Sequence, residues 1–145
     1  MPETIQFYGK TKSLPAQFRK NLRQTINIIT SNHGYTIQQI SYIIMSDAEL
    51  LEVNQTHLHH DDYTDIITFD LSDIEASIDG EIYVSIDRVK ENADTYQTSF
   101  ETELVRVMCH GVLHLMGYKD KSAEDSKLMR DAEQKSITIY EDISQ

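Results

Sequence analysis

The chain is poor in the features that would commit it to several large protein classes. A single cysteine, Cys109, excludes an intramolecular disulfide, and its place in an apolar stretch reads as a small core side chain. No apolar run approaches the roughly 18 residues that a membrane-crossing helix needs, and residues 1–10 lack the apolar stretch of a signal peptide, so a cytoplasmic protein is expected. Internal repeats, low-complexity tracts and domain-separating linkers are missing as well, and 145 residues suffice for a single domain, 1–145, with one proper core. Basic side chains are also short. The 13 Lys and Arg stand against 24 Asp and Glu, and the resulting net charge of −11 argues against nonspecific affinity for a polyanion.

That deficit is uneven. Residues 1–40 carry a net +4, from Lys10, Lys12, Arg19, Lys20 and Arg23 against Glu3, whereas the remainder carries −15. Ordinary solvated faces would account for this, as would a basic first helix facing an anionic partner.

Residues 3–8 alternate, with Ile5 and Phe7 on one side, as a first strand does. Pro15 suits the first turn of a helix over 15–31 whose buried stripe is Phe18, Leu22, Ile26 and Ile29. Ile40, Tyr42 and Ile44 alternate through a second strand, and Ser46 with Glu49 makes a capping box for a helix ending near 56. Residues 57–63 hold three histidines and two aspartates, but their spacing fits no closed metal site, and they read as a polar surface loop. Two β-branched, aromatic-rich strands follow at 65–71 and 81–86, joined by an acidic connection over 72–80. Asp87 is expected to cap a helix to about 95, Thr98 with Glu101 to cap the next, and Ser122 to cap a last one to about 140. The expected class is α+β, a small four-stranded sheet packed with about five helices; propensity leaves the strand order open.

Within the fourth of these helices, His110 and His114 are four residues apart and so share a face from which both imidazoles can reach one ion. Gly117 stands where a helix commonly ends on a left-handed glycine, and the turn can carry Asp120 back as a third ligand. Two core histidines hydrogen-bonded to neighbours are the plain alternative. The surrounding Leu104, Val107, Met108, Val112, Leu113, Leu115 and Met116 mark a core helix, where unpaired imidazoles would be costly, and Gly111 leaves room for a strand or substrate. Cys109 lies about 100° round the helix from His110 and is not expected to ligate. Two histidines and a carboxylate leave zinc an open fourth position, as catalytic sites do, and such an ion is competent for phosphodiester cleavage. Whether water or an RNA 2′-hydroxyl attacks is left open.

The string His110-Gly111-Val112-Leu113-His114-Leu115-Met116-Gly117-Tyr118 resembles the signature of the YbeY family. The resemblance extends to Asn54, Asp61, residues 64–69 and 80–85, and weakly to 128–133, covering roughly 40–135. It implies a mixed sheet and a zinc-dependent, single-strand-specific endoribonuclease acting in ribosomal RNA maturation and ribosome quality control. One zinc ion per chain, held by His110, His114 and Asp120 at the C-terminal end of the buried helix, and ribosomal RNA or the small ribosomal subunit as partner, are the corresponding expectations. Three residues depart from the family pattern. Asp120 stands where the family usually has a histidine, Lys119 where it usually has an acid, and Leu58 where it usually has an arginine thought to contribute to cleavage.

Candidate RNA contacts are Arg19, Lys20 and Arg23 on the first helix and Arg106, Lys119 and Lys121 near the metal turn. His57, His59 or His60 could donate protons, and Tyr63 or Tyr118 could stack on bases. A zincin peptidase would need H-E-x-x-H, and Gly111 occupies the position of its general base. A non-haem iron oxygenase shares the two-histidine, one-carboxylate set without any other sign of that chemistry. The competitor outside enzymes is a ribosome-associated assembly factor in which the metal is structural, a reading that Leu58 favours.

Overall fold

The structure, a computed structural model, describes residues 4–59 and 64–145. Among these the order is β1 (Ile5–Gly9), a 3-10 turn (Thr11–Ser13), α1 (Ala16–Asn32), β2 (Thr36–Met45), α2 (Asp47–Leu58), β3 (Ile66–Asp70), β4 (Ser77–Ser85), α3 (Ile86–Thr95), α4 (Phe100–Leu115) and α5 (Ala123–Ser144). The four strands form one sheet in the order β1-β2-β4-β3. β2 runs parallel to both β1 and β4, whereas β3 pairs antiparallel to β4, so the sheet is mixed and β3 is an edge. The expected α+β class and its mixed four-stranded sheet with five helices are what the structure shows.

The expected stripe of α1 is buried: Phe18, Leu22, Ile26 and Ile29 join Ile40, Tyr42 and Ile44 of β2 in the core. Ser46 caps α2 through the Glu49 amide, with the Glu49 side chain returning to the Ser46 amide at 2.9 Å. Two expected caps move. Ser85, not Asp87, caps α3 by accepting from the Arg88 amide, and Ser99, not Thr98, caps α4 by accepting from the Thr102 amide. Asp87 instead accepts the amide of Asp47, at the start of α2. Both errors have one cause, because a run of several cap-competent residues does not say which one leaves the extended conformation last. β2 and β4 begin earlier than their apolar alternation does, at Thr36 and Ser77, since ladder pairing continues through polar residues. α2 also reaches Leu58, and His59 closes it in the left-handed region at φ 57°.

The seating of α4 decides where the candidate site lies. α4 packs against β3, β4, α3 and α5. From the central strand β2, the fully buried Tyr42 donates its hydroxyl to the Met108 carbonyl at 2.8 Å, which gives an otherwise unsatisfied polar group its partner. Two glycines permit the close approach. A Cβ at Gly111 would stand 3.0 Å from side-chain atoms of Ile66 and Ile82, so the space there is filled by two strands and not by a substrate. On the opposing strand, a Cβ at Gly80 would stand 2.8 Å from Leu115 and 2.9 Å from the Phe69 carbonyl oxygen.

Gly80→Ala must displace both that backbone oxygen and the Leu115 side chain, and overpacking of this kind costs about 1–3 kcal/mol. The expected outcome is a lowered urea midpoint with an unchanged slope. An unchanged midpoint would mean that α4 is not held to the sheet at this point.

Candidate metal centre

α4 turns most of its circumference to the core, burying Leu104, Val105, Val107, Met108, Cys109, Val112 and Leu113. Burial pushes the Cys109 thiol up to about 12, so it stays protonated and inert beside the site. The histidines occupy the open face instead. His110 has 21% of its side chain exposed and His114 is exposed, which corrects the expectation that both imidazoles are enclosed by apolar neighbours. The helix ends as its glycine implies: Gly117 has φ +100°, its amide bonds the His114 carbonyl, and the Tyr118 amide bonds the Leu113 carbonyl. This reverses the chain and brings Asp120 back to the histidine face, its carbonyl accepting the Ser126 hydroxyl from the first turn of α5.

A cleft of about 330 Å³ lies between α4, the Asp120 turn and the edge strand β3. His110, His114 and Asp120 all line it, together with Thr64, Asp65, Thr68 and Arg106. Asp120 Oδ2 is 4.0 Å from His110 Nε2. On its other side His110 presents Nδ1 to the buried Glu133 carboxylate of α5 at 2.6 Å. Burial alone would lower the pKa of His110, but the bond and charge of Glu133, aided by Asp65 and Asp120, more than offset this and raise it.

Arg106, one turn before His110, binds Glu103 through Nε at 2.9 Å and through Nη2, and Glu133 through Nη1 at 3.3 Å. Its Nη2 is also 3.9 Å from Asp65. The hydrogen bonds to Glu103 are the main reason its pKa is raised above that of a free guanidinium. Asp65 is held further by Asn92 at 3.3 Å, yet burial outweighs these partners and lifts its carboxyl above the ordinary range.

The donor chemistry suits a divalent ion, since one cation, Arg106, faces the carboxylates of Asp65, Glu103 and Glu133, with Asp120 at the rim. As placed, no three His, Cys, Asp or Glu side chains among the described residues stand together at metal-holding spacing. What fits is therefore the set of donors and the carboxylate behind His110. A formed coordination sphere is not among the observed features.

The expected RNA contacts are mostly not gathered here. Arg106 lines the cleft but is engaged by carboxylates, so its charge is already satisfied within the fold. Arg23 binds the Ile5 carbonyl at 3.0 Å and lies 5.1 Å from the centre of the Phe7 ring, which ties α1 to β1. β1 is three strand spacings from β3, or about 14 Å. Arg23 is thus directed to the sheet edge opposite the cleft, and Arg19, one helical turn before it, is partly buried while Lys20 is exposed. Lys119 and Lys121 are exposed on either side of Asp120.

His57 and His59 are exposed and do not line the cleft, His57 meeting the Phe69 ring edge-on. His60, Asp61 and Tyr63 lie outside the described residues. Tyr118 donates to His33 Nε2 at 2.9 Å, because His33 Nδ1–H is given to the Ile29 carbonyl, and so it too faces away from the cleft. Sequence reasoning assigned no role in the site to Asp65, Glu103 and Glu133. The resemblance had touched Asp65 and Glu133, but nothing in their spacing places three carboxylates around one guanidinium.

The fold and cleft define an α+β protein that seats a His-x-x-x-His helix beneath the antiparallel edge of a mixed four-stranded sheet. A sequence model of the family described as Endoribonuclease YbeY matches residues 4–141, and the chain belongs to the YbeY family. It is 42% identical over 137 residues to a Cytophaga hutchinsonii protein named Endoribonuclease YbeY, covering 94% of this chain and 96% of that one. A Flavobacterium psychrophilum protein of the same name is 52% identical over 102 residues, 70% of this chain and 72% of that one. The solution structure of TM1509 from Thermotoga maritima superimposes with a TM-score of 0.67 at 32% identity, covering 94% of this chain and 88% of that one.

Because burial raises the Asp65 pKa, the fold favours its protonated form. The stability tied to that proton is complete below the unfolded carboxylate pKa and is lost as pH rises through the raised value. Asp65→Asn keeps the shape without the ionisation, so its melting temperature relative to wild type should be higher at about pH 8 than at about pH 4. Thermal melts of chelator-treated protein decide this, and an equal offset at both pH values would contradict it.

Proposed function

We propose that this chain is a metal-dependent, single-strand-specific endoribonuclease of the cytoplasm that acts in ribosomal RNA maturation. In this reading His110, His114 and Asp120 hold one zinc ion per chain. The observation that carries it is the pairing at His110: Nδ1 is taken by a buried carboxylate while Nε2 is directed to the cleft, 4.0 Å from Asp120. That is the arrangement of a ligating imidazole with an oriented ring. The names of the relatives, endoribonucleases at up to 52% identity among those described, supply the reaction class.

When bound, a divalent ion supplies electrostatic stabilisation of a phosphoryl oxygen and a lowered pKa for a water molecule. The remaining functions fall to the chain's own groups. Thr68 presents its hydroxyl to the cleft from the edge strand, where a phosphodiester can accept from it, whereas Thr64, just before the strand, gives its own hydroxyl to the Ile66 carbonyl. Lys119 and Lys121, exposed beside Asp120, are the cations best placed to meet a flexible RNA backbone. Arg19, Lys20 and Arg23 are assigned at most a remote contact with a larger RNA or ribosomal partner, since α1 is tied to the far edge of the sheet. The assembly-factor reading keeps one specific support, Leu58, which is 39% exposed at the end of α2 and departs there from the arginine of the resembled family pattern.

Purified protein is expected to cleave single-stranded RNA in preference to duplex, to lose that activity with a chelator and to regain it with zinc. His114→Ala should copurify with far less than one metal ion per chain and be inactive, since two remaining ligands hold metal weakly. Absence of a stoichiometric transition metal in wild-type protein, measured by elemental analysis, would end the metal-centred reading. Persistence of tight metal without any cleavage would favour the assembly factor. Leu58 does not line the cleft, so Leu58→Arg should raise the cleavage rate if the longer side chain reaches the substrate from the end of α2, and an unchanged rate would show that no charge is missing there.

A further inference from the structure

The least expected feature of the cleft is a carboxylate from another helix behind the first histidine. Glu133 is 4% exposed on α5, 23 residues beyond His110. Its two oxygens are divided: Oε2 faces His110 Nδ1 at 2.6 Å, and Oε1 accepts from Arg106 Nη1 at 3.3 Å. Arg106 is a permanent donor and is itself braced on the buried Glu103. Glu133 is thereby held as an acceptor on both sides.

We propose that Glu133 is a positioning residue, clamped by Arg106, which fixes His110 as the Nδ1–H tautomer and so presents the Nε2 lone pair to a divalent cation in the cleft. This rests on the reading of His110 as a metal ligand. The argument is one of donor and acceptor counting. A neutral imidazole whose Nδ1 meets a carboxylate must carry its one proton there, which leaves Nε2 as the acceptor on the side of Asp120. A glutamine at 133 cannot reproduce this. Its amide has one acceptor and one donor side, so it either turns its NH2 toward Arg106, donor against donor, or turns it toward His110 and demands the opposite tautomer.

The coupling also gives α5 a part in the site that sequence distance conceals. α4 and α5 pack along each other, and the Glu133 contact is one of the polar bonds between them. Cation binding and the docking of α5 should accordingly support each other, because a ligand that binds the folded arrangement alone stabilises it.

Two measurements on the full-length chain test the assignment. In chelator-treated wild-type protein above the titration range of His110, the ring nitrogen shifts in the 15N NMR spectrum should report the Nδ1–H tautomer, and an Nε2–H tautomer would overturn the proposal without any variant. In the second, zinc affinity is measured by competition with a chromogenic chelator, where Glu133→Gln should bind zinc 10- to 100-fold more weakly, the usual loss when such a partner of a ligating histidine is removed. The visible absorption of the cobalt-substituted variant should change in parallel, a readout that a merely structural role would not move, and far-UV circular dichroism checks that the variant is folded. Equal zinc affinity in wild type and Glu133→Gln would refute the positioning role. If wild-type protein binds no zinc at all, the failure is that of the proposed metal site, and the tautomer measurement still decides whether Glu133 orients the ring.

Discussion

Arg106 is the constraint around which the functional half of the molecule is arranged. It draws together Glu103 from its own helix, Glu133 from α5 and Asp65 from the segment before β3. Glu103 and Glu133 are almost wholly buried, and a buried carboxylate without a partner costs several kcal/mol. The guanidinium suits the task because its several donors can bond different carboxylates at once, which a lysine ammonium does with less geometric definition. Take away that cation and the buried acids lose their common partner, the segment leading into β3 loses a tether, and the Glu133 carboxylate that orients the His110 ring loses its second anchor.

The same arrangement explains how an acidic chain can face an anionic substrate. Around the cleft the acids outnumber the single guanidinium, and with a net charge of −11 the whole surface offers little general attraction to RNA. On the proposed reading a divalent ion reverses the sign of the local field where it is needed, since a bound dication is the largest charge in such a site. Substrate approach would then depend on metal occupancy and on the two lysines flanking Asp120, and only remotely on the basic face of α1. The uneven charge along the sequence is real, but α1 spends at least Arg23 in holding β1.

Much of the architecture could be read directly because its signals are local. The i, i+4 stripe of α1, the Ser46–Glu49 capping box and the glycine that ends α4 each determine a geometry within a few residues, and each stands where it was expected. The starts of β2 and β4 were less legible, since strand pairing through polar residues depends on the neighbouring strand. The caps of α3 and α4 slipped for a related reason: several adjacent residues could serve, and packing of the helix chose among them.

By itself, then, the sequence determined the class of fold, the helix that carries His110 and His114, and the turn that returns Asp120 to their side, all of them consequences of helical periodicity and of glycine's access to positive φ. Only the tertiary structure decided that His114 is exposed, that Arg106 is met by three carboxylates, that α1 is tied to the far edge of the sheet, and that Glu133 stands behind His110. The division follows from range. Backbone geometry and side-chain periodicity act over a few residues, whereas a buried charge is balanced by whichever residues the packed helices and strands bring beside it, and those can be distant in the chain.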